Sequence, residues 1–209
     1  MRPTRMTIRY FLASCAILTL ALWAEPASAQ VREVVVGITT TCPYENAIEG
    51  SCWSGAYWTL LDLEGIKSVE KSANGYNCTA RVYLKDNGFP DPGKWTAQFK
   101  AKVDQAYIFR GVEVTVSGNI ERAGDRPVLR VPGAERPIKL RPLEHKLQWN
   151  SKKGSARQPE PDERDAYQQL KSKVEDSKGG DLKVQVTGPL TKSDTGYTLE
   201  VREFFPPTP

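Results

Sequence analysis

The succession of two periodicities between residues 31 and 120 constrains this chain more than any other feature. Val31 to Ile38 is a nearly unbroken β-branched run, the pattern of a buried strand. Thr39 to Ser51, with Pro43, Asn46 and Gly50, is a loop. From Ser51 the spacing changes, and Trp53, Ala56, Tyr57, Leu60 and Leu63 recur every three or four residues. That is an amphipathic helix with Ser51 as its N-cap and Gly65 as its stop. Ile66 to Lys71 reads as a short strand, Asn74-Gly75 as a turn, and Cys78 to Leu84 as an alternating strand. Asp91-Pro92 caps and opens a second helix, with an apolar stripe of Trp95, Phe99, Val103 and Ala106. Tyr107 to Ile120 then returns as a long strand. The order β-α-β-β-α-β is the split βαβ arrangement, which puts both helices on one face of a four-stranded antiparallel sheet.

The second half repeats itself. Val114-Thr-Val-Ser-Gly118-Asn-Ile120 with Leu129-Arg-Val131 matches Val184-Gln-Val-Thr-Gly188-Pro-Leu190 with Leu199-Glu-Val201, every pair 70 residues apart. Each copy is a strand, a glycine kink, a polar turn and a second strand with L-x-V alternation. Glycine kinks of this kind turn the corners of small barrels. Two such hairpins and Pro137 to Leu143 between them predict a small β-barrel, OB-like, or a sandwich. Ser151 to Glu163 reads as a polar loop running into a third helix from Pro161, with Ala166, Tyr167, Leu170 and Val174 on its apolar side and Gly179-Gly180 as its end.

Residues 1–29 have the anatomy of a signal peptide. Arg2, Arg5 and Arg9 precede an apolar stretch from Phe11 to Trp23, and Ala27-Ser28-Ala29 is a cleavage site. The apolar stretch is shorter than the roughly 20 residues a membrane span needs. Too little apolar sequence precedes Cys15 for a lipoprotein box. The expectation is a periplasmic or secreted protein of about 180 residues with no stable membrane insertion after cleavage. Half of the net charge of +4 belongs to the leader, through three arginines and Glu25. The remainder mixes both signs, and neither nucleic acid nor an anionic membrane is favoured as a partner.

Three cysteines follow the leader: Cys42, Cys52 and Cys78. An oxidising compartment favours a bridge between at least two of them, and an odd number leaves one over. Cys42 stands just beyond the first strand and Cys52 at the start of the first helix, with nine residues between them.

The strand Val34 to Gly37, the helix Cys52 to Leu63, the turn Leu63-Glu-Gly65-Ile66 with Val69, and the strand Thr79-Ala-Arg-Val82 together resemble the heavy-metal-associated domain of metallochaperones and metal-transporting ATPases. The resemblance covers roughly residues 31 to 118 and implies a ferredoxin-like fold. In that family two thiolates, two residues apart at the helix N-terminus, bind a soft ion such as copper or zinc. Carried onto this chain, the ligands are Cys42 and Cys52, although here the C-x-x-C spacing is lost. The competing reading is a Cys42–Cys52 disulfide that pins the intervening loop, with a stabilisation of about 3 kcal/mol. A redox-active pair and pairings through Cys78 complete the alternatives.

Other chemistry is sparse. His145 is the single histidine and has no G-x-S-x-G or comparable motif around it. Glu160, Asp162, Glu163 and Asp165 cluster at a helix start, where carboxylates suit the dipole. Trp53 and Tyr57 fall on the core stripe, whereas Trp58 falls off it. Asn77-Cys78-Thr79 is a glycosylation sequon only in a eukaryotic source. The expected fold is therefore α+β. A ferredoxin-like domain (residues 30–118) precedes a β-rich domain with one helix (119–209). The expected role is a non-catalytic binding or interaction protein without a cofactor, its partner a protein or small ligand outside the cytoplasm. A copper or zinc carrier and a thiol–disulfide redox protein are the alternatives.

Overall fold

The computed structural model describes residues 31–40, 51–70, 78–86, 88–103, 105–132, 134–150, 152–177 and 182–206, apart from the side chains of Ser51 and Cys52. The chain is a mixed α+β protein with three helices and a large sheet among these residues. Its first part runs β1 (Val31–Thr40), α1 (Ser51–Leu61), β2 (Ile66–Val69), β3 (Thr79–Leu84), α2 (Pro92–Lys102) and β4 (Tyr107–Ala123). The strands lie in the order β2-β3-β1-β4, every neighbour antiparallel. Val34 faces both Val82 and Val114 across the sheet, and Val36 faces Ala80 and Val112. Directly opposed residues share a face, so this register gathers the valines on one side. Trp53 and Leu60 of α1, with Trp95 and Phe99 of α2, are buried in the same core as these valines.

Local chemistry sets the helix ends. Asp91 caps α2 by accepting the Lys94 amide at 3.0 Å, and Pro92 occupies the first turn. The helix stops at Lys102 rather than continuing through Ala106, because Val103 is already extended (φ −113°, ψ 149°).

After β4 come β5 (Arg126–Arg130), β6 (Ile138–Pro142), the small hairpin β7 (Trp149–Asn150) and β8 (Ser155–Ala156), α3 (Pro161–Asp176), β9 (Leu182–Ser193), β10 (Gly196–Val201) and β11 (Glu203–Phe205). Pairing runs from β4 to β5, to β6, to β10, to β9 and back to β4, so five strands close on themselves. The β6–β10 contact is parallel and the others are antiparallel. Ile120, Leu129, Ile138, Leu140, Val186 and Leu199 are buried at alternate positions of these strands. α3 brings Ala166, Tyr167, Leu170 and Val174 to the same core. The residues matched at 70-residue separation are cross-strand partners in the two hairpins, Ile120 with Leu129 and Leu190 with Leu199.

Residue 118, where the sequence divides the chain, lies within β4. Val112, Val114 and Val116 pair with β1 on one side and with β9 on the other, so one apolar cluster extends from the helix-covered face into the closed ring. One local expectation is corrected. The loop expected from Ser151 contains β8, which pairs with β7 across a turn at Gly154 (φ +61°). After β10 the chain turns at Arg202 and pairs back onto β9 as β11.

Candidate functional site: a charged strap over the central strand

Strands covered on one face alternate between buried and exposed positions, yet Val112 to Val116 are all buried. The second face of β4 is closed by Leu143 to Gln148, a strap joining β6 to β7, and by Arg202. Gly37 and Gly111 are cross-strand partners and together leave a dent in the sheet. Leu147 fills it: a Cβ on Gly37 would stand 2.8 Å from the Leu147 Cδ1.

The strap has no regular backbone pairing, so side chains hold it. Glu200 of β10, 2% exposed, accepts the amides of Glu144 at 2.8 Å and His145 at 2.9 Å. Its other oxygen takes Arg141 of β6. Burial alone would raise the Glu200 carboxyl, but the His145 and Glu144 amides and Arg141 outweigh it and hold the group below its ordinary value. Arg110 donates to the Leu147 carbonyl and, at 2.6 Å, to the Cys78 carbonyl, with its guanidinium 5.0 Å above the Trp149 ring. Desolvation pulls Arg110 down to about 10.

A second knot lies beside the first. Lys146 donates to Glu163 at 2.6 Å, and both side chains are nearly inaccessible. Arg202 grips Glu113 with two nitrogens at 3.1 and 3.2 Å, meets Glu163 at 3.5 Å and donates to Glu203 at 2.7 Å. Gln148 donates to Glu113 from the strap. Burial pushes the Glu113 carboxyl up against the opposing pull of Arg202. Arg202 would be lowered by its own burial, but Glu113, Glu203 and Glu163 raise it. Such a knot stabilises only while complete, since removing one partner of a buried pair costs about 3–5 kcal/mol.

Of the acidic residues at the start of α3, only Glu163 enters this knot; Glu160, Asp162 and Asp165 are exposed. Glu163 also accepts the Glu160 amide at 2.8 Å, so one carboxylate ties the helix start to the strap. His145 is on the surface, 79% exposed, with Nδ1 3.7 Å from Glu200. Trp53 is buried, while Trp58 is 65% exposed with its ring edge-on to Tyr57 at 5.2 Å. Cys42 and the Cys52 side chain lie outside the described residues, as does Asn77; the Cys52 backbone is in the first turn of α1. Cys78 is buried at the entry to β3, in a left-handed backbone conformation (φ +51°). Burial pushes its thiol up, against the fields of Arg110 and Arg157. Among the described residues no group of three or more His, Cys, Asp or Glu side chains is placed to hold a metal.

Glu113, Lys146, Glu200 and Arg202 are not singled out by sequence. Glu113 and Glu200 are the polar members of apolar alternations, Val112-Glu-Val114 and Leu199-Glu-Val201, where they read as solvent-facing, and Lys146 and Arg202 stand beside other charged or polar residues. Comparison of the chain with protein-family models, with curated proteins and with solved structures finds no match.

Proposed function

We propose that this chain is an exported, non-catalytic binding module, in which a ferredoxin-like unit resembling the heavy-metal-associated domain and an OB-like barrel share β4. Two features support the architecture. The order β4-β1-β3-β2, with the valines of one face buried among residues of both helices, is that of a split βαβ unit. A five-stranded ring with a helix between its third and fourth strands is what an OB-like barrel requires.

The observation that carries the non-catalytic reading is the commitment of the buried carboxylates. Glu113, Glu163 and Glu200 each face a cation, a backbone amide or both, whereas a general base must reach a substrate proton. Binding falls instead to the outward side of β5 and β6, with Arg126, Arg130, Lys139 and Arg141 between the turns at Gly124 and Thr195. OB-like barrels hold ligands on this face and these two loops. Arg130 is paired there with Glu121 and Arg141 with Glu200, which leaves Arg126 and Lys139 as the cations that suit a protein segment or small ligand bearing acidic groups.

The proposal reads Cys42 and Cys52 as a disulfide. Cys78 supports this by standing apart from the pair: burial raises its thiol against the pull of Arg110 and Arg157, and the charge of those two guanidinium groups opposes a cationic ligand. Mass measurement of the native protein with thiol counting and metal analysis is the test. A mass two units below the reduced value, one titratable thiol after denaturation and no copper or zinc are expected. Two or three titratable thiols with bound copper or zinc would replace this reading with a metal carrier. A bridge that turns over with a dithiol partner would replace it with a redox protein.

A further inference from the structure

Leu143 to Gln148 belong to no helix or strand, yet they cross a buried part of the sheet. Their hold combines one apolar plug, Leu147 in the Gly37–Gly111 dent, with three carboxylates contributed by β4, α3 and β10. Of the three carboxylates only Glu200 grips the strap's backbone, as an anion that accepts two amides and a guanidinium at once, while Arg110 and the Arg157 amide hold the carbonyls of Leu147 and Gln148 at its far end. A neutral carboxyl has a proton on one oxygen and loses the charge that strengthens all three bonds. We propose that the strap is an acid-released latch: protonation of Glu200 frees residues 143–148 while the barrel stays closed, and uncovers the dent that Leu147 fills.

The groups facing Glu200 are Arg141 from β6 and, from the strap, His145 with Glu144 beside it. Glu113 faces Arg202, Gln148 and Glu203; Glu163 faces Lys146 and Arg202. As pH falls, Glu113, pushed up by burial, takes its proton early. Glu200 is held below its ordinary value of 4.5, so its stabilising effect is present above that pH and disappears as pH falls through its folded value. Its titration therefore sets the release point, while Ile120, Leu129, Ile138, Val186 and Leu199 of the surrounding strands are apolar.

Hydrogen exchange of the full chain, corrected for intrinsic rates, between pH 7 and pH 3 is the test. Protection across 143–148 is expected to fall at least ten-fold below pH 4.5, while the amides of Leu129 and Leu199 keep theirs. Glu200→Gln is expected to show the open strap already at pH 7, with barrel protection unchanged within two-fold. The wild-type series stands without that variant if it does not fold. Unchanged strap protection at pH 3, or loss of strap and barrel together, would overturn the proposal. So would a release midpoint near pH 6 to 7 that disappears in His145→Gln, since the histidine would then be the switch.

Discussion

Replacing each of the two kink glycines by alanine tests whether the ring of strands is held by backbone contact. Neither Gly118 nor Gly188 has a positive φ, so their requirement is space and not conformational freedom. A Cβ on Gly118 would stand 2.5 Å from the Arg130 carbonyl oxygen and 3.0 Å from the Leu129 Cδ1. The leucine methyl can rotate away, and the carbonyl needs to move by several tenths of an ångström. A Cβ on Gly188 would overlap the Glu200 carbonyl oxygen outright, and would lie 2.9 Å from that carbonyl carbon and 3.2 Å from the Arg202 nitrogen. All three are backbone atoms, so the alanine forces β9 and β10 apart. Overpacking of the first kind costs about 1–3 kcal/mol, and the second belongs with the exceptional losses above about 4 kcal/mol. Converted at about 2–4 °C per kcal/mol for a chain of this size, Gly118→Ala lowers Tm by about 2–12 °C and Gly188→Ala by at least about 8–16 °C. Thermal and urea unfolding followed by circular dichroism measure Tm and free energy for both variants. Equal losses, or a Gly118→Ala loss larger than that of Gly188→Ala, would refute the contact argument.

Two further outcomes follow from the charged groups. Burial holds the Glu113 carboxyl above its ordinary value of 4.5, so the folded state binds that proton more tightly than the unfolded chain. Stability from this group therefore declines as pH rises from 4.5 through the folded value, and Glu113→Gln is expected to flatten that decline in denaturant titrations at pH 4.5 and pH 7. Asp91 caps α2 and also pairs with Lys192 at 2.7 Å on a half-exposed surface. Asp91→Ala is expected to cost about 1 kcal/mol through the lost cap, and Lys192→Ala less than about 0.5 kcal/mol, with comparable losses counting against the cap as the larger effect.

Much of the architecture was legible because it depends on short-range pattern. Trp53, Ala56 and Leu60 of α1 and Leu63 just beyond its end are buried as their spacing predicts, with Tyr57 partly buried, and Asp91-Pro92 starts α2 where capping chemistry puts it. The 70-residue repeat was informative for the same reason: a hairpin is local, so two alike hairpins leave two alike sequence segments. The strap was not legible. Leu147 has no periodic neighbours, and its seat is made by Gly37 and Gly111, two residues whose contribution is an absent side chain. Glu113 and Arg202 lie 89 residues apart, and nothing local distinguishes a charge paired in the interior from one in water. The end of α2 was misplaced because Val103 and Ala106 keep the helical spacing after the backbone has left the helix.

The position of residue 118 shows why a boundary drawn from sequence describes composition better than mechanics. α2 ends at Lys102 and α3 does not begin until Pro161, with hairpins between them, so the character of the chain changes there. Physically, β4 is the strand on which both parts are built. Its N-terminal section completes the sheet with β1, its C-terminal section starts the closed ring of strands with β5, and β9 pairs along Val112 to Ile120 across the join. Cutting after Gly118 would leave the β1 side with Val112, Val114 and Val116 exposed along one edge, and the ring without the strand that closes it. An unpaired strand edge of that length is a site for aggregation, and a barrel avoids it only by closing. The strap fits the same logic, since Leu147 and the Glu113–Arg202 pair cover the other face of that join, where a sheet shared by two units would otherwise be open to water.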